Sequence, residues 1–323
     1  MKVFKIIGIV VGIAVILLVA LLSYVKFALP DSAKAEEITI EPTQERIARG
    51  KYLANNVMAC VDCHSTRDFT KFAGPIDTTT IGKGGELFGE AMGFPGNFYA
   101  PNITPSHLKD WTDGEILRAL TTGVSRDGHA LFPVMPWQHY ATMDKEDIYA
   151  VIAYLRTLKP IENDVPPSEP AFPMNFIINT LPAPAQFTTR PPEEDIINYG
   201  EYMMNAAACK DCHTVQINGE YQMDKFMAGG FVFPLPGGDT VRSANITPSI
   251  KTGIGTWNED LFVARFKTYD SGYMQSPVTP GKFNSIMPWT CFATMREHDL
   301  RAIYAYLRTI PPVENTVEKF SSR

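Results

Sequence analysis

The chain has 323 residues, 45% of them hydrophobic and 20% charged, with a formal net charge of −6. That length allows two compact cores. No basic stripe runs through the chain, which excludes a nucleic-acid role.

Taken in chain order, the first element is apolar. Ile6 to Val25 is a run of 20 uncharged residues between Lys5 and Lys26, roughly 30 Å of helix and so the thickness of a bilayer core. It predicts an uncleaved membrane anchor over residues 1–30. Ala33-Lys34-Ala35 offers a competing cleavage site, but the apolar run is longer than that of an ordinary signal peptide. Lys2 and Lys5 on one flank balance Lys26 and Lys34 on the other, so charge does not orient the segment.

Residues 31–160 read as a first domain. A helix is expected from about Gln44 into Cys60, followed by a Gly- and Pro-rich stretch from Gly74 to Pro105 with no sustained period, read as ordered loops rather than strands. A closing helix from Asp144 to Leu158 shows a 3.6-residue stripe at Ile148, Ile152 and Leu155, and Lys159-Pro160 stops it. Residues 161–192 form a strap; with Pro160 the stretch carries nine prolines, which favours an extended, semi-rigid connection. Residues 193–323 repeat the first plan: a helix from about Glu193 into Cys209, a loop stretch from Gly229 to Gly255, and a closing helix from Arg296 to Ile310 striped by Leu300, Ile303 and Leu307, stopped by Pro311-Pro312.

Four of the five cysteines fall in two pentapeptides, Cys60-Val61-Asp62-Cys63-His64 and Cys209-Lys210-Asp211-Cys212-His213. The C-x-x-C-H spacing is the attachment signature of c-type haem: two thiols form thioethers to the haem vinyl groups, and the adjacent histidine turns its ring nitrogen onto the iron. A thioredoxin-like dithiol would want a βαβ context and gives no reason for the histidines. A shared zinc site would need two distant clusters to converge. The expectation is therefore two covalently bound haem c groups, with Cys60 and Cys63 holding one and Cys209 and Cys212 the other.

The surroundings of the motifs recur too. Arg49-Gly-Lys-Tyr answers Tyr199-Gly-Glu-Tyr, Asn102-Ile-Thr-Pro-Ser answers Asn245-Ile-Thr-Pro-Ser, Trp111-Thr-Asp-Gly-Glu answers Trp257-Asn-Glu-Asp-Leu, Met135-Pro-Trp answers Met287-Pro-Trp, and Ala153-Tyr-Leu-Arg-Thr answers Ala305-Tyr-Leu-Arg-Thr. The offset between matched residues runs from 143 at Asn102 to 152 at Met135, the signature of a tandem duplication.

The duplication also tests the metal ligands. His64 and His213 supply one axial ligand each, and a second ligand needed in both domains should occur in both. His107, His129 and His139 align with Ile250, Gly281 and Cys291, so none qualifies. Met135 and Met287 do, each fixed by the following Pro and Trp; a thioether is a known axial ligand that raises the haem potential. The other matched pair, Met143 and Met295, reads as core packing. Two His/Met irons without an open position imply electron transfer and no catalytic site. The fifth cysteine, Cys291, reads as a small buried apolar residue.

With these residues in view, the chain resembles the cytochrome c subunit of membrane-bound alcohol, aldehyde and gluconate-type dehydrogenases. The likeness covers nearly all of the soluble part: R-G-x-Y-L-A, the two C-x-x-C-H motifs, N-I-T-P, T-G-I-G-x-W at Thr252 to Trp257, M-P-W and A-Y-L-R-T-I-P-P-V at Ala305 to Val313. The resemblance implies an all-α fold of tandem class I cytochrome c domains, His/Met ligation, and electron transfer from a dehydrogenase to the respiratory chain. It also implies that a carbonyl near Gly74-Pro75 accepts the Nδ1 proton of His64. The family pattern has three C-x-x-C-H motifs and this chain two. Its own N-terminal anchor gives it an equal likeness to the di-haem, membrane-tethered subunit of a cbb3-type terminal oxidase; a di-haem peroxidase is a third reading. The expected partners are a dehydrogenase, an oxidase or a small cytochrome. Because c-type haem is attached outside the cytoplasm, the expected location is the inner membrane, with the soluble domains facing the periplasm.

Overall fold

In the computed structural model, residues 2–31, 34–235, 238–269, 275–279 and 281–322 are described. Ala33, part of the competing cleavage signal, lies outside them. Helix α1, Lys2–Phe27, has no buried residue and is long and apolar enough to cross a membrane.

The first half follows as α2 (Gln44–Tyr52), a wider five-residue turn over Leu53–Val57, α3 (Cys60–Cys63), β1 (Leu87–Phe88), β2 (Gly96–Tyr99), α4 (Pro105–Leu108), α5 (Asp113–Thr122), α6 (Trp137–Tyr140) and α7 (Lys145–Leu155). The strap contributes β3 (Glu169–Pro170) and the short helix α8 (Met174–Ile177). The second half comprises α9 (Ile196–Ala206), α10 (Cys209–His213), β4 (Gln216–Ile217), β5 (Glu220–Tyr221), β6 (Val232–Pro234), β7 (Thr240–Arg242), α11 (Glu259–Lys267), α12 (Trp289–Phe292), α13 (Glu297–Leu307) and β8 (Phe320–Ser321).

Two expectations are corrected. The chain is not all-α: among the described residues about 41% are helical and 8% are strand, in three small sheets. Those sheets run β1-β2-β3, β4-β5 and β6-β7-β8, so strands lie inside both stretches read as loops. Each is two to four residues long, too short for an alternating pattern to register. Part of their pairing also comes from far away: β1 pairs with β2 and β6 with β7, but Asn97 also pairs with Glu169 of the strap, and Val241 with Phe320 near the C-terminus.

The second correction concerns the helices leading into the cysteines. Neither runs through. Ala59 and Ala208 both take left-handed backbone, each with φ 50°, an unusual state for a residue with a side chain. The chain turns there and starts a new short helix at Cys60 or Cys209.

The helix starts follow local chemistry. Thr112 and Glu115 form a reciprocal capping box on α5, and Asn258 caps α11 through the Leu261 amide at 2.8 Å. Helix α2 crosses α7 so closely that a Cβ on Gly50 would lie 1.8 Å from the Ala150 carbonyl oxygen; Gly200 of α9 bears the same relation to Ala302 in α13, at 1.9 Å. Only glycine allows that approach. The stripes Ile148, Ile152, Leu155 and Leu300, Ile303, Leu307 are buried, and both halves feed one continuous apolar core.

Between the halves, equivalent residues exchange equivalent contacts, as across a two-fold axis. Tyr52 donates its hydroxyl to Asp299, and its repeat counterpart Tyr202 donates to Asp147 at 2.7 Å. The Arg296 amide donates to the Tyr52 hydroxyl at 3.0 Å, and the Asp144 amide to the Tyr202 hydroxyl at 3.2 Å. Asn56 donates to Thr294, and Asn205 to Thr142 at 3.2 Å. Other contacts are not mirrored among the described residues: the segment after the first motif pairs with the segment before Met287, through Phe72 N to Ser276 O at 3.0 Å and Val278 N to Thr70 O at 2.8 Å.

Candidate functional site

Each C-x-x-C-H motif starts directly after its left-handed alanine, so the two cysteines lie a turn apart on a short helix and the histidine closes it. His64 is buried. Its Nδ1 stands 2.7 Å from the Pro101 carbonyl oxygen, and His213 Nδ1 stands 2.7 Å from the Ala244 carbonyl oxygen. A carbonyl only accepts, so Nδ1 carries the proton in both rings and the lone pair is on Nε2. Burial lowers the pKa of both imidazoles against the opposing pull of those carbonyls, which keeps them neutral.

The carbonyl that orients His64 is thus Pro101 and not one near Gly74-Pro75 as the family resemblance implied. It belongs to the residue just before Asn102-Ile-Thr-Pro, and this explains that repeated motif. The Asn102 side chain accepts from the Thr104 amide at 2.9 Å and hydroxyl at 2.7 Å and donates to the Ile161 carbonyl at 2.8 Å. Asn245 does the same with Thr247, at 2.9 and 2.7 Å, and with Val313 at 2.8 Å. Gly84 N to His64 O at 2.9 Å and Gly229 N to His213 O at 2.8 Å complete matching cradles. The part this motif plays is absent from the sequence reading; the signal for it was the recurrence of Asn-Ile-Thr-Pro downstream of each histidine that needs an acceptor, 38 residues after His64 and 32 after His213.

Burial pushes all four motif thiols up to about 12, so the free thiols are protonated at neutral pH. Cys212 is exposed, yet its surroundings desolvate the thiol. After Asp211 and Cys209, Cys63 of the other half also raises it, so the two motifs approach each other across the interface. Among the described residues no group of three or more His, Cys, Asp or Glu side chains converges to hold a metal ion. One imidazole nitrogen with a free lone pair beside two neutral thiols, present twice, is a donor set that suits a covalently held haem and not a zinc cluster.

The matched methionines divide by burial. Met143 and Met295 are 0% and 1% exposed, enclosed in the core, whereas Met135 and Met287 are half-buried at its margin. Each of the latter opens an inverse γ-turn. Pro136 (φ −79°, ψ 53°) and Pro288 (φ −73°, ψ 62°) are its central residues, and Trp137 N and Trp289 N donate back to the Met135 and Met287 carbonyls at 2.7 Å. Proline supplies the required φ in advance, which fixes the methionine backbone.

The central aspartates of the motifs differ. Asp62 is buried and bound by Arg67 at 2.7 Å, and Arg67 also holds Glu86 at 2.7 Å. Burial raises Asp62 to about 6 even with Arg67 pulling the other way. Asp211 instead faces the other half, where His139 Nε2 lies at 2.6 Å; His139 Nδ1 meets Asn205 Oδ1 at 2.8 Å. Cys291, the counterpart of His139, is buried as expected.

No family model matches the chain. It is 27% identical over 283 residues, 83% of its length, to the cytochrome c subunit of a quinone alcohol dehydrogenase from Gluconacetobacter polyoxogenes. It is 28% identical over 283 residues, 82% of its length, to the fructose dehydrogenase cytochrome subunit of Gluconobacter japonicus. It spans 56% and 52% of those two relatives, about half their length. A diheme cytochrome c-type protein of Cereibacter sphaeroides is 28% identical over 270 residues, covering 79% of this chain and 83% of the relative. The chain thus resembles the cytochrome c subunits of sugar and alcohol dehydrogenases and a di-haem cytochrome c.

Proposed function

We propose that this chain is a membrane-anchored di-haem cytochrome c that relays electrons from a periplasmic dehydrogenase to the respiratory chain and has no substrate chemistry of its own. In this reading Cys60 and Cys63 would attach one haem and Cys209 and Cys212 the other, with His64 and Met135 holding one iron and His213 and Met287 the other. The bound group supplies reversible one-electron iron chemistry. The protein's part is positional: Pro101 and Ala244 hold the imidazoles in register, the proline turns hold the methionines, and the reciprocal tyrosine–aspartate contacts keep the two sites in one body.

The observation that carries the reading is the twin imidazole cradle, repeated with the same 2.7 Å contact in each half. The dehydrogenase partner rests on the relatives, which are dehydrogenase cytochrome subunits; the pair of haems also rests on the diheme relative matched over most of its length. A peroxidase needs one iron open, and a half-buried methionine in both halves argues for closed sites. The anchor is α1, with both halves on the periplasmic side of the inner membrane.

The test is to replace residues 1–30 by a cleavable leader. The released protein should still take up and give back electrons but lose coupling to membrane respiration. Peroxide turnover at the rate of dedicated peroxidases would reject the relay.

A further inference from the structure

The strap contains an apolar patch that neither half covers. Phe172 is 80% exposed and Ile177 is 42% exposed, and Phe172 sits edge-on to Phe176 at 6.3 Å. Scattered exposed apolar residues need no explanation, but a contiguous aromatic and aliphatic patch marks a contact surface. Nor does this patch dangle, because Gly96 and Asn97 of β2 pair with Pro170 and Glu169 of β3 just before it.

Its position singles out the occupant. The Asn179 side chain donates to the Val25 carbonyl oxygen at 3.1 Å, and the Lys26 ammonium stands 5.9 Å from the Phe176 ring centroid. The patch therefore lies against the last turn of α1, where Tyr24 and Phe27 are also exposed, Phe27 at 85%. Aromatic rings at the end of a membrane-spanning helix, with a lysine able to reach the headgroups, are the usual furniture of a bilayer interface.

We propose that residues 172–177 seat on the lipid bilayer as a second, interfacial contact beside α1. This rests on the reading of α1 as a membrane span. The element is two-faced, as such contacts are: Phe172 and Ile177 point out, while Met174 and Ile178 pack into a cluster with Phe88, Phe98, Phe132 and Cys63. The same short segment therefore presses on lipid and closes the wall beside Cys63, the second cysteine of the first motif. The first site is then the membrane-proximal one, held at a fixed height above the lipid; a single helical tether would leave the soluble part free to swing.

The experiment uses full-length, haem-loaded protein in phosphatidylethanolamine–phosphatidylglycerol nanodiscs and in native membranes. A photo-crosslinking residue, p-benzoylphenylalanine, replaces Phe172, Ile177, Val15 or Lys251 one at a time. Lipid adducts at 15, 172 and 177, and none at 251, are expected. Adducts at 15 without any at 172 or 177 overturn the interfacial contact and leave the membrane span standing. Their absence at 15 as well overturns the span and the inference built on it. Crosslinking of 172 or 177 to another protein in native membranes, in place of lipid, assigns the patch to a partner subunit and also overturns the proposal. Phe172→Ser with Ile177→Ser should keep haem content and lose the lipid adduct from p-benzoylphenylalanine placed at Phe176.

Discussion

Replacing Tyr202 by phenylalanine deletes one hydroxyl at the centre of the contact between the two halves. Asp147, whose side chain is 1% exposed, accepts four hydrogen bonds: from Arg49 at 2.9 and 2.7 Å, from Arg190 at 2.6 Å and from Tyr202 at 2.7 Å. Tyr202→Phe removes one bond to a charged acceptor, worth about 1.5–3 kcal/mol. Three of the four bonds remain, from Arg49 and Arg190, so this loss belongs at the lower end; the Asp144 amide, which donates to the same hydroxyl at 3.2 Å, loses its acceptor as well. Asp147→Asn is worse, about 3–5 kcal/mol, because the Arg49 guanidinium, with its side chain 19% exposed, loses its counter-charge where water cannot replace it. Arg190, 42% exposed, is rehydrated and adds little. Urea unfolding followed by tryptophan fluorescence reads both halves, since Trp111 and Trp137 lie in one and Trp257 and Trp289 in the other. In a double-mutant cycle the phenylalanine change should cost much less once Asp147 is already asparagine. Additivity to within about 0.5 kcal/mol would show that the hydroxyl and the carboxylate do not interact, and would refute the reciprocal interface.

The methionine pairs should separate cleanly: Met143→Leu and Met295→Leu leave the visible spectrum unchanged, because a core thioether tolerates a similar apolar volume, while Met135→His or Met287→His keeps a low-spin iron and lowers that site's potential in a redox titration. His139 should give a pH signature. Burial lowers its pKa, but the hydrogen bond and charge of Asp211 outweigh this and raise it above 6.5. The stability it lends is therefore fully present below pH 6.5 and is lost as the pH rises through the raised folded-state value. The stability gap between the parent and His139→Gln, measured by urea unfolding, should accordingly be larger near pH 6 than near pH 9; a gap that grows with pH contradicts the ion pair.

Sequence patterns revealed what is repeated and what is periodic. The stripes of the closing helices face the core because a 3.6-residue period leaves one geometric solution, and the matched motifs return as matched hydrogen bonds. Strands escaped notice since β3 and β8 pair with segments that lie some 70 residues away or more, and nothing local encodes a two-residue strand. The breaks at Ala59 and Ala208 were hidden for a related reason: alanine is the best helix former, and its left-handed backbone here is imposed by the surrounding structure. The His64 acceptor was misplaced because a backbone carbonyl has no residue signature of its own. Only the pinning side chains, Asn102 and Thr104, could have pointed to Pro101.

The central claim is that the chain carries two covalently attached haems, one on each motif. Intact mass spectrometry of the denatured full-length protein, matured in cells that assemble c-type cytochromes, tests it directly when set beside a Cys209→Ala, Cys212→Ala variant. The account predicts the polypeptide plus two haem masses for the parent and plus one for the variant. A parent carrying one haem or none, or a variant that still carries two, would contradict it.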